Sequence, residues 1–145
     1  MPHRTGLLAA KKGMSAVFDE ATGERVPCTV LQVDRCQVVG HKTVRKHGYW
    51  AVQVGYGSRK PKNISRPMLG VFAERGVPPK ATIMEFRVRS REGLLPVGTV
   101  LEPSWFKIGQ LVDTRSKTKG KGFAGVSTQP EGISACIILI DSKRV

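Results

Sequence analysis

Apolar and polar residues alternate with a period of two through most of the first half of the chain. Val26 to Val33 reads Val-Pro-Cys-Thr-Val-Leu-Gln-Val, a β-branched, half-buried pattern that predicts a strand. Pro27, near its start, places that strand at a beginning or an edge, because proline cannot donate to a ladder. Tyr49 to Tyr56 sets Trp50, Val52, Val54 and Tyr56 on one side and Tyr49, Ala51, Gln53 and Gly55 on the other. That predicts a strand with one face inward. Gly6 to Phe18 is apolar at both ends with Lys11, Lys12 and Gly13 between, which predicts two short strands broken by a turn. Asp19 to Gly23 is a polar turn cluster, Gln37 to Val44 a further strand, and His47-Gly48 a turn.

The period then changes. Met68, Leu69, Phe72 and Ala73 fall at helical spacing between Ser65 and Gly76. Ser65 suits an N-cap, Pro67 the first turn and Gly76 the stop. Pro78 and Pro79 prevent continuation. Thr82 to Val88 and Ile108 to Val112 are again strands. Trp50 and Trp105 are expected in the core or at its edge. Six or so short strands with one short helix predict a mainly β chain, a barrel with a small helical insertion, with an α+β sandwich as the next reading.

Length and composition agree with a folded domain. The chain has 145 residues, 40% of them hydrophobic, and a chain this long buries roughly 70% of its unfolded surface. Its longest apolar run, Ala135 to Ile140, has six residues, far below the roughly 20 of a membrane-spanning helix. Cys28, Cys36 and Cys136 are an odd number, and Cys28 and Cys36 are separated by seven residues. Neither a complete disulfide framework nor a zinc spacing results, and no metal or cofactor is called for. The N-terminus lacks the apolar segment of a secretory signal. It is basic, and could form the end of an organellar targeting segment.

Charge changes the picture most. There are 24 Lys and Arg against 11 Asp and Glu, a net charge of +13, which calls for an acidic partner. Arg35 to Ala73 holds eight bases (Arg35, Lys42, Arg45, Lys46, Arg59, Lys60, Lys62 and Arg66) and no acid. Arg115 to Lys121 holds four bases in seven residues. Lys117, Lys119 and Lys121 alternate, so in an extended segment they share one side, with Ser116 and Thr118 on the other. Gly120, Gly122 and Gly125 allow close backbone approach to a phosphate or sugar, and Phe123 offers a face for a base. These are properties of an arm that enters folded RNA. Gly120 to Gly125 also matches G-x-G-x-x-G, but no apolar strand precedes it, and Pro130 and Gly132 bar the helix a dinucleotide site needs after it. His3, His41 and His47 have no carboxylate or nucleophile partner visible in the sequence, so nothing proposes an enzyme.

These residues resemble a known family, the universal large-subunit ribosomal protein three, or L-three family. The resemblance is carried by GLLAAKKGM (Gly6 to Met14), VPCTVLQV (Val26 to Val33), HGYWAVQVGYG (His47 to Gly57), RPMLGVFAERGV (Arg66 to Val77), EFRV (Glu85 to Val88) and DTRSKTKGKGFAGV (Asp113 to Val126). It spans about Arg4 to Val126 and is most similar to the mitochondrial branch. It implies a translation-protein-type β-barrel with a small inserted α/β portion. The implied function is that of a structural constituent of the large ribosomal subunit, which binds ribosomal RNA, supports assembly and touches neighbouring large-subunit proteins. It places the chain in the mitochondrial ribosome, or otherwise in a cytoplasmic or other organellar one. Carried over by position, Lys117, Lys119, Lys121, Gly122 and Phe123 lie at the root of the family's long extension, and Lys11 and Lys12 match its basic pair on the first strands.

The expected RNA-binding set is therefore Lys11, Lys12, Arg45, Lys46, Arg59, Lys60, Lys62, Arg66, Arg115, Lys117, Lys119, Lys121, Gly122 and Phe123. The alternatives are a non-ribosomal β-barrel module for polyanions or proteins, and a non-functional truncated gene product. Residues 127–145 do not resemble the family. They divide the chain into a family part, 1–126, holding an incomplete barrel, and a tail, in which Ile133 to Ile140 offers a substitute strand. Val126-Ser127 is encodable by a splice-donor consensus, so one expected origin of the tail is a retained intron or a gene-model error. Sequencing the transcript should show the mature message departing from this tail after the Gly125 codon; a spliced message carrying it in frame contradicts that origin.

Overall fold

The computed structural model describes residues 4–117, 119, 120 and 122, and the backbone of strand 137–141. Among these, seven strands and two α-helices follow in order: β1 (Leu7–Phe18), β2 (Arg25–Gln32), β3 (Gln37–Lys42), α1 (Val44–His47), β4 (Ala51–Tyr56), α2 (Arg66–Glu74), β5 (Thr82–Arg87), β6 (Asp113–Arg115) and β7 (Ile137–Asp141). They build two antiparallel sheets, one ordered β2-β1-β7-β6 and the other β3-β4-β5. The chain is mainly β, as the alternation predicts, and both sheets are open.

The first sheet starts from a hairpin. Its turn is held by Asp19, whose carboxylate accepts from the Ala21 amide at 3.1 Å and the Thr22 hydroxyl at 3.1 Å. Gly23 takes a left-handed φ of 71° there, which glycine adopts without steric cost. The break expected at Lys11 to Gly13 is instead a bulge inside one twelve-residue strand. β2 pairs with β1 on both sides of the irregularity, so the extra residue is absorbed by local twist rather than by a turn. Pro27 lies on β2, at the sheet edge, as its chemistry requires. Ile137–Asp141 pairs with both β1 and β6. It covers part of the tail segment expected as a strand; residues 133–136 of that segment lie outside the described residues.

Only the first part of β1 enters the core. Leu7 and Leu8 are fully buried with Cys36, Val38, Val52, Val54, Phe86, Val88 and Leu101, and Trp50 and Trp105 pack at the margin. Each large aliphatic residue buried this way contributes roughly 1.5–3 kcal/mol. Beyond Ala10 the hairpin passes out of the core, leaving Met14 and Phe18 about two-thirds exposed. The second sheet is covered on its other face by α2, through Val39, Phe72 and Val77. β4 is thus buried on both faces, with Ala51 and Gly55 as enclosed as Val52 and Val54. The one-sided burial predicted for it fails because α2 folds back over the polar-looking side.

Other boundaries shift for local reasons. β3 stops at Lys42 because Thr43 opens the short helix α1, which Gly48 closes at a φ of 79°; the expected His47-Gly48 turn is the end of that helix. Ser65 precedes α2 without a side-chain cap bond, and only Phe72 of the helix is buried. Ile108 to Val112 is not a strand. A turn closed by the Gln110 amide on the Lys107 carbonyl, with Gly109 at a φ of 80°, interrupts it and leaves Ile108 fully exposed. The free edge of β3 is shielded instead by residues 98–101, which pair with it through Gly98, Val38 and Leu101. His41 Nε2 meets the Leu95 carbonyl and helps hold that segment.

On the α2 side of the second sheet, Glu85 gathers a polar network. Tyr49 donates to it at 2.9 Å, Gln53 at 2.9 Å, and the Lys42 ammonium lies 3.6 Å away. Arg75 extends the network by donating to Gln53 at 2.8 Å. Burial pushes the Glu85 carboxyl up, but the bonds from Gln53 and Tyr49 and the charge of Lys42 together outweigh it and hold the group below its usual value. A depressed folded value contributes stability above the unfolded carboxylate range, and that stability is lost as pH falls through the folded value. Glu85→Ala is therefore expected to cost roughly 1 kcal/mol at pH 7, partial exposure keeping the loss modest. Urea titrations should show that deficit shrinking at low pH; a deficit independent of pH contradicts the role assigned to the carboxylate.

Candidate nucleic-acid interface

The connections of β4 decide where the basic residues go. α1 lies between β3 and β4, and the basic loop and α2 lie between β4 and β5. Arg45 and Lys46 therefore sit at one end of β4, and Arg59, Lys60, Lys62 and Arg66 at the other. A six-residue strand separates the two groups by about 20 Å. All six side chains belong to exposed residues, and none forms an ion pair among the described residues.

A third group lies on the first sheet. β6 and β1 each pair antiparallel with β7, so they run parallel to one another. Arg115 and Leu8 share Leu139 as register partner, which sets them two strands, about 10 Å, apart. Lys11 and Lys12 follow three and four residues further along β1, at the bulge. Arg115, Lys117 and Lys119 are exposed, Lys12 is exposed and Lys11 half-buried. Gly122 has a left-handed φ of 71° with open space where a side chain would stand, so the position selects glycine by conformation. Lys121 and Phe123 lie outside the described residues, as does most of the Gly120 to Gly125 motif.

Folding corrects one feature of the linear charge reading. The acid-free tract from Arg35 to Ala73 does not remain unbalanced. Arg35 pairs with Asp34 at 3.4 Å, and Lys42 with Glu85 at 3.6 Å. The six bases left over are those just described. Sequence reasoning also missed three cations. Lys80 is 6% exposed and donates to the Arg35 carbonyl at 2.8 Å. Burial pulls its ammonium down from the ordinary lysine value. Arg87 lies 4.6 Å over the Tyr49 ring, and the Arg75 guanidinium occupies the space beside Gly40. A glycine pair in neighbouring strands was the available signal: Gly40 makes room for Arg75, and Gly55 admits the Lys80 stem, which a Cβ there would meet at 2.5 Å.

Among the described residues no group of three or more His, Cys, Asp or Glu stands close enough to hold a metal ion. Cys36 is a buried core thiol, raised by that burial, and Cys28 is half-buried on β2; Cys136 is outside the described residues. The basic residues thus fall into three groups, exposed except for the half-buried Lys11.

Comparison with known proteins then adds two curated relatives. No family model matches the chain. Large ribosomal subunit protein uL3m of Neurospora crassa is 59% identical over 124 residues, which cover 86% of this chain and 32% of that protein. Its namesake in Schizosaccharomyces pombe is 49% identical over 126 residues, covering 87% of this chain and 49% of that protein. Over most of its length the chain is thus similar to two proteins named uL3m. It spans about a third to a half of the length of these curated relatives. The family resemblance carried by the basic pair of β1, the aromatic strand β4 and the Asp113 to Val126 run is thereby upheld at the level of the whole aligned stretch.

Proposed function

We propose that this chain is a structural constituent of the large subunit of the mitochondrial ribosome, binding its ribosomal RNA and catalysing nothing. The observation that carries the reading is the 59% identity to a protein named as a large ribosomal subunit component. Neighbouring large-subunit proteins are its further partners. Lys and Arg neutralise backbone phosphates and release counterions, and recognition follows RNA shape rather than sequence. The contact set is Lys11, Lys12, Arg45, Lys46, Arg59, Lys60, Lys62, Arg66, Arg115, Lys117, Lys119 and Lys121, with Gly122 and Phe123 allowing close approach and stacking. A net charge of +13 supports the same reading, and the six exposed bases around β4, which form no ion pair among the described residues, favour phosphate binding over a structural role.

Removing the cluster at the far end of β4 tests the mechanism. Arg59, Lys60, Lys62 and Arg66, all changed to Ala, should leave stability within about 0.5 kcal/mol, because none packs in the core. The salt dependence of binding to the mitochondrial large-subunit RNA should fall by roughly 0.7–0.9 for each phosphate no longer neutralised, about 3 in log–log slope if all four side chains reach one. An unchanged slope contradicts phosphate neutralisation by this loop. Retention on salt-washed large subunits is expected; complete loss in moderate salt, with equal binding to any polyanion, favours the general polyanion module.

A further inference from the structure

Beside the basic loop lies a cavity of about 350 Å³ between α2 and the second sheet. That volume falls at the low end of the range for small-ligand sites, roughly 300–1,000 Å³. Its lining divides by chemistry. Met68, Phe72 and Ile83 form an apolar side, while Arg59, Asn63 and Lys80 contribute cations and an amide. No acid lines it. A carboxylate that acts on the Lys80 ammonium, Asp34, is paired with Arg35 and does not line the cavity. Lys80 is a nearly buried cation satisfied by a single carbonyl among the described residues. Such a charge is costly to keep in place without an anion.

We infer that this cavity receives one unstacked ribonucleotide of an RNA strand, its base against Met68, Phe72 and Ile83 and its phosphate beside Arg59 and Asn63 in the field of Lys80. The inference rests on the RNA-binding reading above and deepens it. An apolar wall accepts the flat face of any base, because stacking tolerates sequence. Paired bases stay inside a helix and cannot enter, so the site selects single-stranded or bulged RNA. The basic loop that borders the cavity holds the adjoining phosphates, which explains why Lys60, Lys62 and Arg66 cluster beside it.

The full chain can be tested with two probes, an oligouridylate single strand and an RNA duplex of the same length, followed by fluorescence anisotropy at fixed salt. Ala81 lines the cavity at an exposed position, so Ala81→Leu fills it without adding charge or an aromatic ring. Binding of the single strand is expected to weaken at least about fivefold, the loss of one stacked base, with duplex binding within about twofold of the parent. Equal effects on both probes, or none on either, overturn the site. Photocross-linking of a 5-iodouridine oligonucleotide to the unaltered chain is independent of any variant's folding: label within residues 59–83 supports the site, and label confined to other residues overturns it. If the unaltered chain binds neither probe, the RNA-binding reading falls and this one with it; duplex binding without any single-strand effect of Ala81→Leu overturns the cavity alone.

Discussion

Everything in this molecule hangs on the burial of Leu7 and Leu8 against the β3-β4-β5 sheet. These two residues carry the first sheet into the core of the second, where they meet Val38, Val52, Val54 and Phe86. The rest of β1 leaves that core within a few residues. The seam is short, and its strength comes from complete exclusion of water rather than from area. With Leu7 and Leu8 on one face of the second sheet and Phe72 on the other, β4 keeps only Gln53 and Tyr56 partly open to solvent. A strand so enclosed is a rigid axis, and the loops at its two ends inherit that rigidity.

The basic residues gain meaning from that axis. In the linear sequence they form a long acid-free tract; in the fold they separate into groups at fixed spacing, with Arg35 and Lys42 removed from the count by Asp34 and Glu85. A flexible basic tail would bind a polyanion at a greater cost in ordering entropy than loops mounted on a core. The same argument gives Glu85 its place. By tying Lys42, Tyr49 and Gln53 together it fixes the outer side of β4 and β5, although it touches no candidate RNA-binding residue.

Much of the fold was legible in the residues. The alternation of Tyr49 to Tyr56 marked the central strand, Pro27 marked the edge, and Pro67 and Gly76 framed α2, because each of these signals acts through local backbone geometry. What was not legible depended on partners distant in sequence. Lys11-Lys12-Gly13 looks like a turn until β2 lies alongside and converts it to a bulge. Ile108 to Val112 looks like a strand until the Lys107–Gln110 turn breaks it. The second buried face of β4 needs α2 on top. Among the candidate site residues, exposure of the loop bases followed from their polar surroundings, whereas burial of Lys80 had no local sign. The family resemblance was legible because runs such as DTRSKTKGKGFAGV combine charge and glycine in a fixed order that general physical constraints do not impose.

The most direct test of the account is lysine footprinting of the chain alone and bound to mitochondrial large-subunit RNA, with each lysine's acetylation read by mass spectrometry. Lys60, Lys62, Lys117 and Lys119, all exposed, are expected to lose most of their reactivity on binding, while the equally exposed Lys107 keeps its own. Protection spread evenly over every exposed lysine, or absent from these four, would contradict an RNA interface held in place by the core.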